Sequence, residues 1–134
     1  MKIIPKEDLI VRESISMFFG DGEIWFEQLD ALSIYKDVIL DKFLKDMETI
    51  KRPSSSAFIG INLNESLVDK EIADTIISNL SQASSFIKKV VFVGLDRKGI
   101  KLMKQSIDNN QKSTGFVYTF INDYEKAKEW LVNK

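Results

Sequence analysis

At 134 residues, with 44% hydrophobic and 29% charged side chains and a net charge of −1, the chain has the size and balance of one globular domain with a proper core. It contains no histidine and no cysteine. That excludes a disulfide scaffold and thiol redox chemistry, and it removes the commonest soft-metal ligands and the most readily activated base and nucleophile.

No apolar run approaches the ~20 residues that a membrane span needs, and the opening Met1-Lys2-Ile3-Ile4-Pro5-Lys6-Glu7-Asp8 lacks the apolar core of a signal peptide. A cytoplasmic location and no membrane partner are expected. The charge is unevenly spread. Residues 1–87 carry 9 basic and 15 acidic side chains, and residues 88–134 carry 10 and 5. Such a split reads as solvated helix faces of opposite sign, or as a dipole that orients partners.

Residues 9–19 alternate in part, with Ile15, Met17 and Phe19 on one side, and Glu23–Leu29 reads as a strand. Gly20-Asp21-Gly22 between them predicts an antiparallel hairpin. Residues 33–52 read as a helix: Tyr35, Val38, Ile39, Phe43, Met47 and Ile50 form one stripe, Ser33 is the expected N-cap, and Pro53 ends it. Asp41 and Lys45 read as a surface ion pair on that helix.

Ala57–Ile61 is a compact apolar run, read as a buried strand, followed by a polar loop from Asn62 to Ser66. A helix over about 68–86 buries Ile72, Ala73, Ile76, Ile77, Leu80 and Ala83. Lys89–Gly94 is continuous and β-branched, as suits a strand covered on both faces. Leu95–Gly99 leads into a helix over about 99–109 with Ile100, Met103 and Ile107 as its stripe. Gln111–Gly115 is a polar turn and 115–120 a last strand. Asn122 or Asp123 caps a final helix that turns Tyr124, Ala127 and Leu131 inward with Trp130 beside them. The order predicts an α/β domain with a mixed sheet of four to five strands and about four helices, parallel except for the N-terminal hairpin.

In open α/β sheets ligands sit outside the carboxyl ends of the strands, which singles out two loops. The first offers Asn62, Asn64, Glu65, Ser66 and Asp69 before a helix, where N–H groups attract anions; the same residue types also serve plain capping and turns. The second, Gly94–Gly99, places Asp96, Arg97 and Lys98 before a helix, but its glycines match neither dinucleotide nor P-loop patterns. Arg97, Lys98, Lys101, Lys104 and Lys112 form a basic cluster, smaller and poorer in exposed aromatics than nucleic-acid binding wants. No carboxylates pair on an apolar background as acid–base catalysis needs, and the strand ends lack the aspartate and lysine of a phosphorelay receiver. No cofactor or metal is expected.

Three stretches carry a family resemblance. They are Ile59–Glu71, Ile87–Leu95, and Phe120–Leu131 with its pattern of an aromatic, a polar cap and Ala-x-x-Trp-Leu. In order and spacing they resemble the small bacterial STAS-like, or SpoIIAA-like, proteins over the carboxyl-terminal two thirds. The resemblance implies helices packed largely on one face of the sheet and a non-enzymatic regulatory role. In anti-sigma-factor antagonists of this fold, a partner kinase phosphorylates a serine at the start of the helix after the central strand. The matching loop here is 62–69, with Ser66 the nearest serine and no Asp-Ser-Ser-Gly motif. The expectation is a single STAS-like domain over residues 1–134. It would bind a protein partner, a second copy of itself included, through Asn62, Asn64, Ser66, Asp69, Asp96, Arg97 and Lys98. The alternative is a carrier of a small apolar ligand or anion at the sheet–helix boundary.

Overall fold

A computed structural model describes residues 3–20, 22–52, 56–110 and 115–133. After a short 3-10 turn (Lys6–Asp8), the elements are β1 (Ile15–Phe19), β2 (Gly22–Gln28), α1 (Lys36–Ile50), β3 (Phe58–Asn62), α2 (Lys70–Gln82), β4 (Lys89–Val93), α3 (Arg97–Asn109), β5 (Val117–Phe120) and α4 (Tyr124–Val132). The five strands form one sheet in the order β1-β2-β3-β4-β5. β1 runs antiparallel to β2, and every later pair is parallel. The mixed α/β sheet with an N-terminal hairpin is as the sequence predicts.

The sheet is covered on both faces, which is why its inner strands read as unbroken apolar runs. On one face Leu29, Ile59, Ile61, Val90 and Phe92 meet the buried stripes of α1, α2 and α3. On the other, Ile24, Phe26, Val91 and Val93 meet Ala127 and Leu131 of α4. Three helices thus share a face and the last crosses to the opposite one. Lys128 lies over the Phe19 and Tyr124 rings and Lys89 over Trp130, tying α4 down.

Several boundaries differ from expectation. Ser33 does not cap α1. The helix begins three residues later, at Lys36, with Tyr35 in the cap position and no side-chain cap bond. Ser33 is instead buried, at φ 56°, and bridges to Ser66 in parallel fashion. The ion pair on α1 is Lys42–Asp46, one residue along from Asp41 and Lys45. α2 starts at Lys70, where the Asp69 carboxylate accepts from the Ile72 N–H, and residues 83–86 form a turn. Arg97 and Lys98 belong to the first turn of α3 and not to a loop, because Asp96 caps that helix from Gly99 N–H. Asp123 caps α4, while Asn122 binds Gly94 N–H and Leu95 C=O. The expected effect of Pro53, the turn residues 111–114 and Asp21 lie outside the described residues.

Gly60 decides how the α4 face packs. It stands opposite Phe26 in the ladder, and a Cβ there would lie 2.5 Å from that ring. The bare backbone lets Phe26 lie across β3 and reach the Tyr124 ring, centroid to centroid 4.4 Å. Gly60→Ala is therefore expected to cost about 1–3 kcal/mol by overpacking. Urea unfolding checks this, and Phe26→Leu in the same chain should recover part of the loss.

Candidate functional site

The carboxyl ends of β2, β3 and β4 lie side by side, and backbone hydrogen bonds continue past the end of the sheet. Leu29 N–H donates to Asn62 C=O (2.9 Å), Ala31 N–H to Asn64 C=O (2.8 Å) and Ser33 N–H to Glu65 C=O (3.0 Å); Leu67 N–H returns to Ser33 C=O (2.8 Å). Ala31, Ser33 and Glu65 take positive φ along this path, a costly conformation for non-glycine residues that persists only where the surroundings fix it.

Ser66 locks the ladder. The residue is 7% exposed, and its hydroxyl donates to Leu29 C=O (2.5 Å) and accepts from Leu32 N–H (3.0 Å). Both roles of the oxygen are used inside the protein. A phosphoryl group on it would break both bonds and bring a dianion into a buried place.

The other wall comes from β4. Gly94, at φ +85°, would put a Cβ 2.5 Å from the Asn64 backbone, so only glycine permits this approach. Leu63 N–H donates to Val93 C=O (2.8 Å) and fixes the two loops against each other. Between them opens a cleft of about 200 Å³, bordered by Asn64, Ser66, Leu67, Gly94, Asp96 and Lys98.

The structure thus brings together four of the seven residues singled out by sequence: Asn64, Ser66, Asp96 and Lys98. Asn62 lies beneath, donating to Gln28 Oε1 (3.1 Å) and accepting from Asn64 N–H (3.1 Å). Asp69 faces away and pairs with Lys36 Nζ at 2.6 Å. Burial alone would raise the Asp69 pKa, but Lys36 and the Ile72 N–H outweigh it and hold the carboxyl below the ordinary range. Arg97 is exposed on α3 outside the cleft. The N-termini of both α2 and α3 already hold a carboxylate cap, Asp69 and Asp96, in the place where an anion would bind.

Sequence reasoning missed a second polar constellation. Glu27, on β2, is fully buried beneath α1. Its Oε1 accepts from the Trp25 indole N–H (3.0 Å), and its Oε2 has no hydrogen-bond partner, with Lys42 Nζ 3.7 Å away. Lys42 pairs with Asp46, and both bind Ser14 Oγ, which also accepts from Gln28 N–H. Burial first, and then the neighbouring Asp46 carboxylate, push the Glu27 pKa up to about 8 against the pull of Lys42 and Trp25. Asp46 is itself pushed up by burial, but the neighbouring Glu27 carboxyl and hydrogen bonds from Lys42 and Ser14 leave it below the usual carboxylate range. Ser14 donates to Asp46 and accepts from the Lys42 ammonium. That is the reverse of the arrangement in which an amine base activates a serine. The signal for Glu27 was its spacing of two from Trp25, which puts both on one face of a strand that turns out to lie inside the sheet.

Comparison with protein-family models, with curated proteins and with solved structures finds no match for this chain. Among the described residues no helix is long and apolar enough to cross a membrane, and no group of three or more acidic side chains could hold a metal ion.

Two outcomes test these arrangements. Ser66→Ala removes two buried hydrogen bonds and is expected to cost about 1–3 kcal/mol in urea unfolding. Glu27 ionises about 4.5 when unfolded and at about 8 when folded, so the folded state holds the extra proton between those values. Its stabilising share is full at the acid end and is lost as pH rises through about 8, a fall on the order of a few kcal/mol. Glu27→Gln should flatten the dependence of unfolding free energy on pH between 5 and 9.

Proposed function

We propose that this chain is a STAS-like binding module that acts by contact with a protein partner, through the cleft between the 62–69 loop, the 94–96 turn with the start of α3, and the start of α2. The observation that carries this reading is how the cleft is built. Ser66 and Asp96 are committed to internal hydrogen bonds, and Gly94 and the shared backbone ladder hold the two loops in fixed register. What remains for a visitor is a preformed surface: the exposed Asn64, the Lys98 ammonium, and Leu67 at 46% exposure. A surface already ordered binds without the entropic cost of ordering it. The sequential strand order with three helices on one face supports the family resemblance. The cleft also favours contact over carriage. Its volume of about 200 Å³ lies below the roughly 300–1,000 Å³ usual for enclosed small-molecule sites, and carboxylates already fill the two helix N-termini that would hold an anion.

Native mass spectrometry and affinity capture from host lysate test the reading together. The expected result is no added small mass, and one protein captured by the native chain but lost with Leu67→Asp/Lys98→Glu. A co-purifying small molecule, or capture indifferent to those substitutions, would overturn it.

A further inference from the structure

The far edge of the sheet carries a second surface, separate from the cleft. Arg97, Lys101 and Lys104 follow one another at spacings of four and three on α3, which places them on one helix face, and all three are exposed. Among the described residues, the ion pairs gather within residues 6–74 and at Glu125–Lys128, and none uses a cation of α3. This helix therefore accounts for much of the positive charge that the sequence concentrates in its last third.

Lys104 reaches over β5 from this face, which also carries Asp108: the Lys104 Nζ lies 5.9 Å from the centre of the Phe120 ring. β5 ends the sheet. Val117 N–H donates to Lys88 C=O and Ile121 N–H to Phe92 C=O, both at 3.0 Å, so these groups aim at β4. By the alternation of a strand, the N–H and C=O of Tyr118 and Phe120 aim outward. Sheets usually blunt an open edge with charge or proline on the edge strand itself. β5 reads Val-Tyr-Thr-Phe and has neither, and Val117 is 61% exposed.

We propose that β5 takes up an acidic extended segment of a partner protein as a sixth strand, beneath the cationic face of α3. The open backbone groups select a peptide, since they pair with N–H and C=O groups that a nucleic acid lacks. The rings point the same way. Phe120 stacks on Phe92 (5.3 Å) and lies under Lys104, and both Phe120 and Tyr118 are half-buried, so they offer no row of exposed rings for successive bases. The charge selects the sequence of the visitor. Side chains at alternate positions would rise toward Lys101 and Lys104 and are acidic; those between would lie by Val117 and are apolar.

The test uses the full chain, labelled with ¹⁵N, and three fluorescent probes: a short peptide of alternating Glu and Val, its Lys/Val counterpart, and a short oligouridine. The Glu/Val peptide is expected to bind, shifting the amide signals of Tyr118, Phe120, Lys101 and Lys104. Raising the salt from about 50 to about 300 mM should weaken it roughly tenfold. Lys101→Glu/Lys104→Glu, both exposed and so compatible with folding, should weaken it by at least roughly tenfold more, as close like charges do. No binding, equal binding of the Lys/Val peptide, or oligouridine binding at the same residues would each overturn the proposal. So would shifts confined to residues 64–68 and 94–98. That pattern would place the peptide in the cleft and leave the reading of the cleft standing, so the two ideas fail separately.

Discussion

The hydrogen-bonded ladder that continues β2 and β3 beyond their ends is the constraint on which the working end of this molecule rests. Segments 29–33 and 62–67 are joined by four backbone bonds and clasped by the Ser66 hydroxyl. The ladder fixes where α1 can begin, since Leu32 and Ser33 are held before the helix starts, and it fixes the height of the loop that meets Gly94. Each of its three positive-φ residues is individually unfavourable. They hold because the neighbouring segment supplies a partner for each backbone group that the turns would otherwise leave bare.

A second buried polar group sits beneath the middle of α1. The Glu27 carboxyl of β2, its pKa pushed up by burial, faces Lys42 of α1, and Lys42 and Asp46 in turn hold Ser14 of the segment before β1. Such a cluster favours one arrangement of strand, helix and arm over near alternatives, because displacing any member strands a buried charge or hydrogen bond. The start and the middle of α1 are thus specified by different chemistry: backbone pairing at the one, side-chain pairing at the other.

Much of the fold was legible in the sequence for physical reasons. β4 declared itself through Val90, Val91, Phe92 and Val93, a run that only a strand covered on both sides would carry. α2 declared itself through Ile72, Ile76, Ile77 and Leu80 at helical spacing. The site was legible only in outline. Asn64, Ser66, Asp96 and Lys98 meet because strand ends meet, a rule of topology. What each side chain does there depends on contacts between residues some thirty positions apart, such as Ser33 with Ser66 and Asn62 with Gln28. Local pattern is blind to these. Ser33 looked like a cap because it is a serine ahead of an apolar stripe; tertiary pairing claimed it first.

The division of the helices between the two faces has a consequence for how the chain is made. α1, α2 and α3 each follow the strand they cover, so one side of the sheet is shielded progressively as synthesis proceeds. The other side, with Ile24, Phe26, Val91 and Val93, waits for α4, which follows all five strands. Until residues 124–132 emerge, a nascent chain carries a finished sheet with one apolar face uncovered, the kind of surface that chaperones recognise and that aggregates when left alone. A chain interrupted before α4 is therefore a sticky fragment with one bare sheet face, because the five strands alone leave Ile24, Phe26, Val91 and Val93 in water.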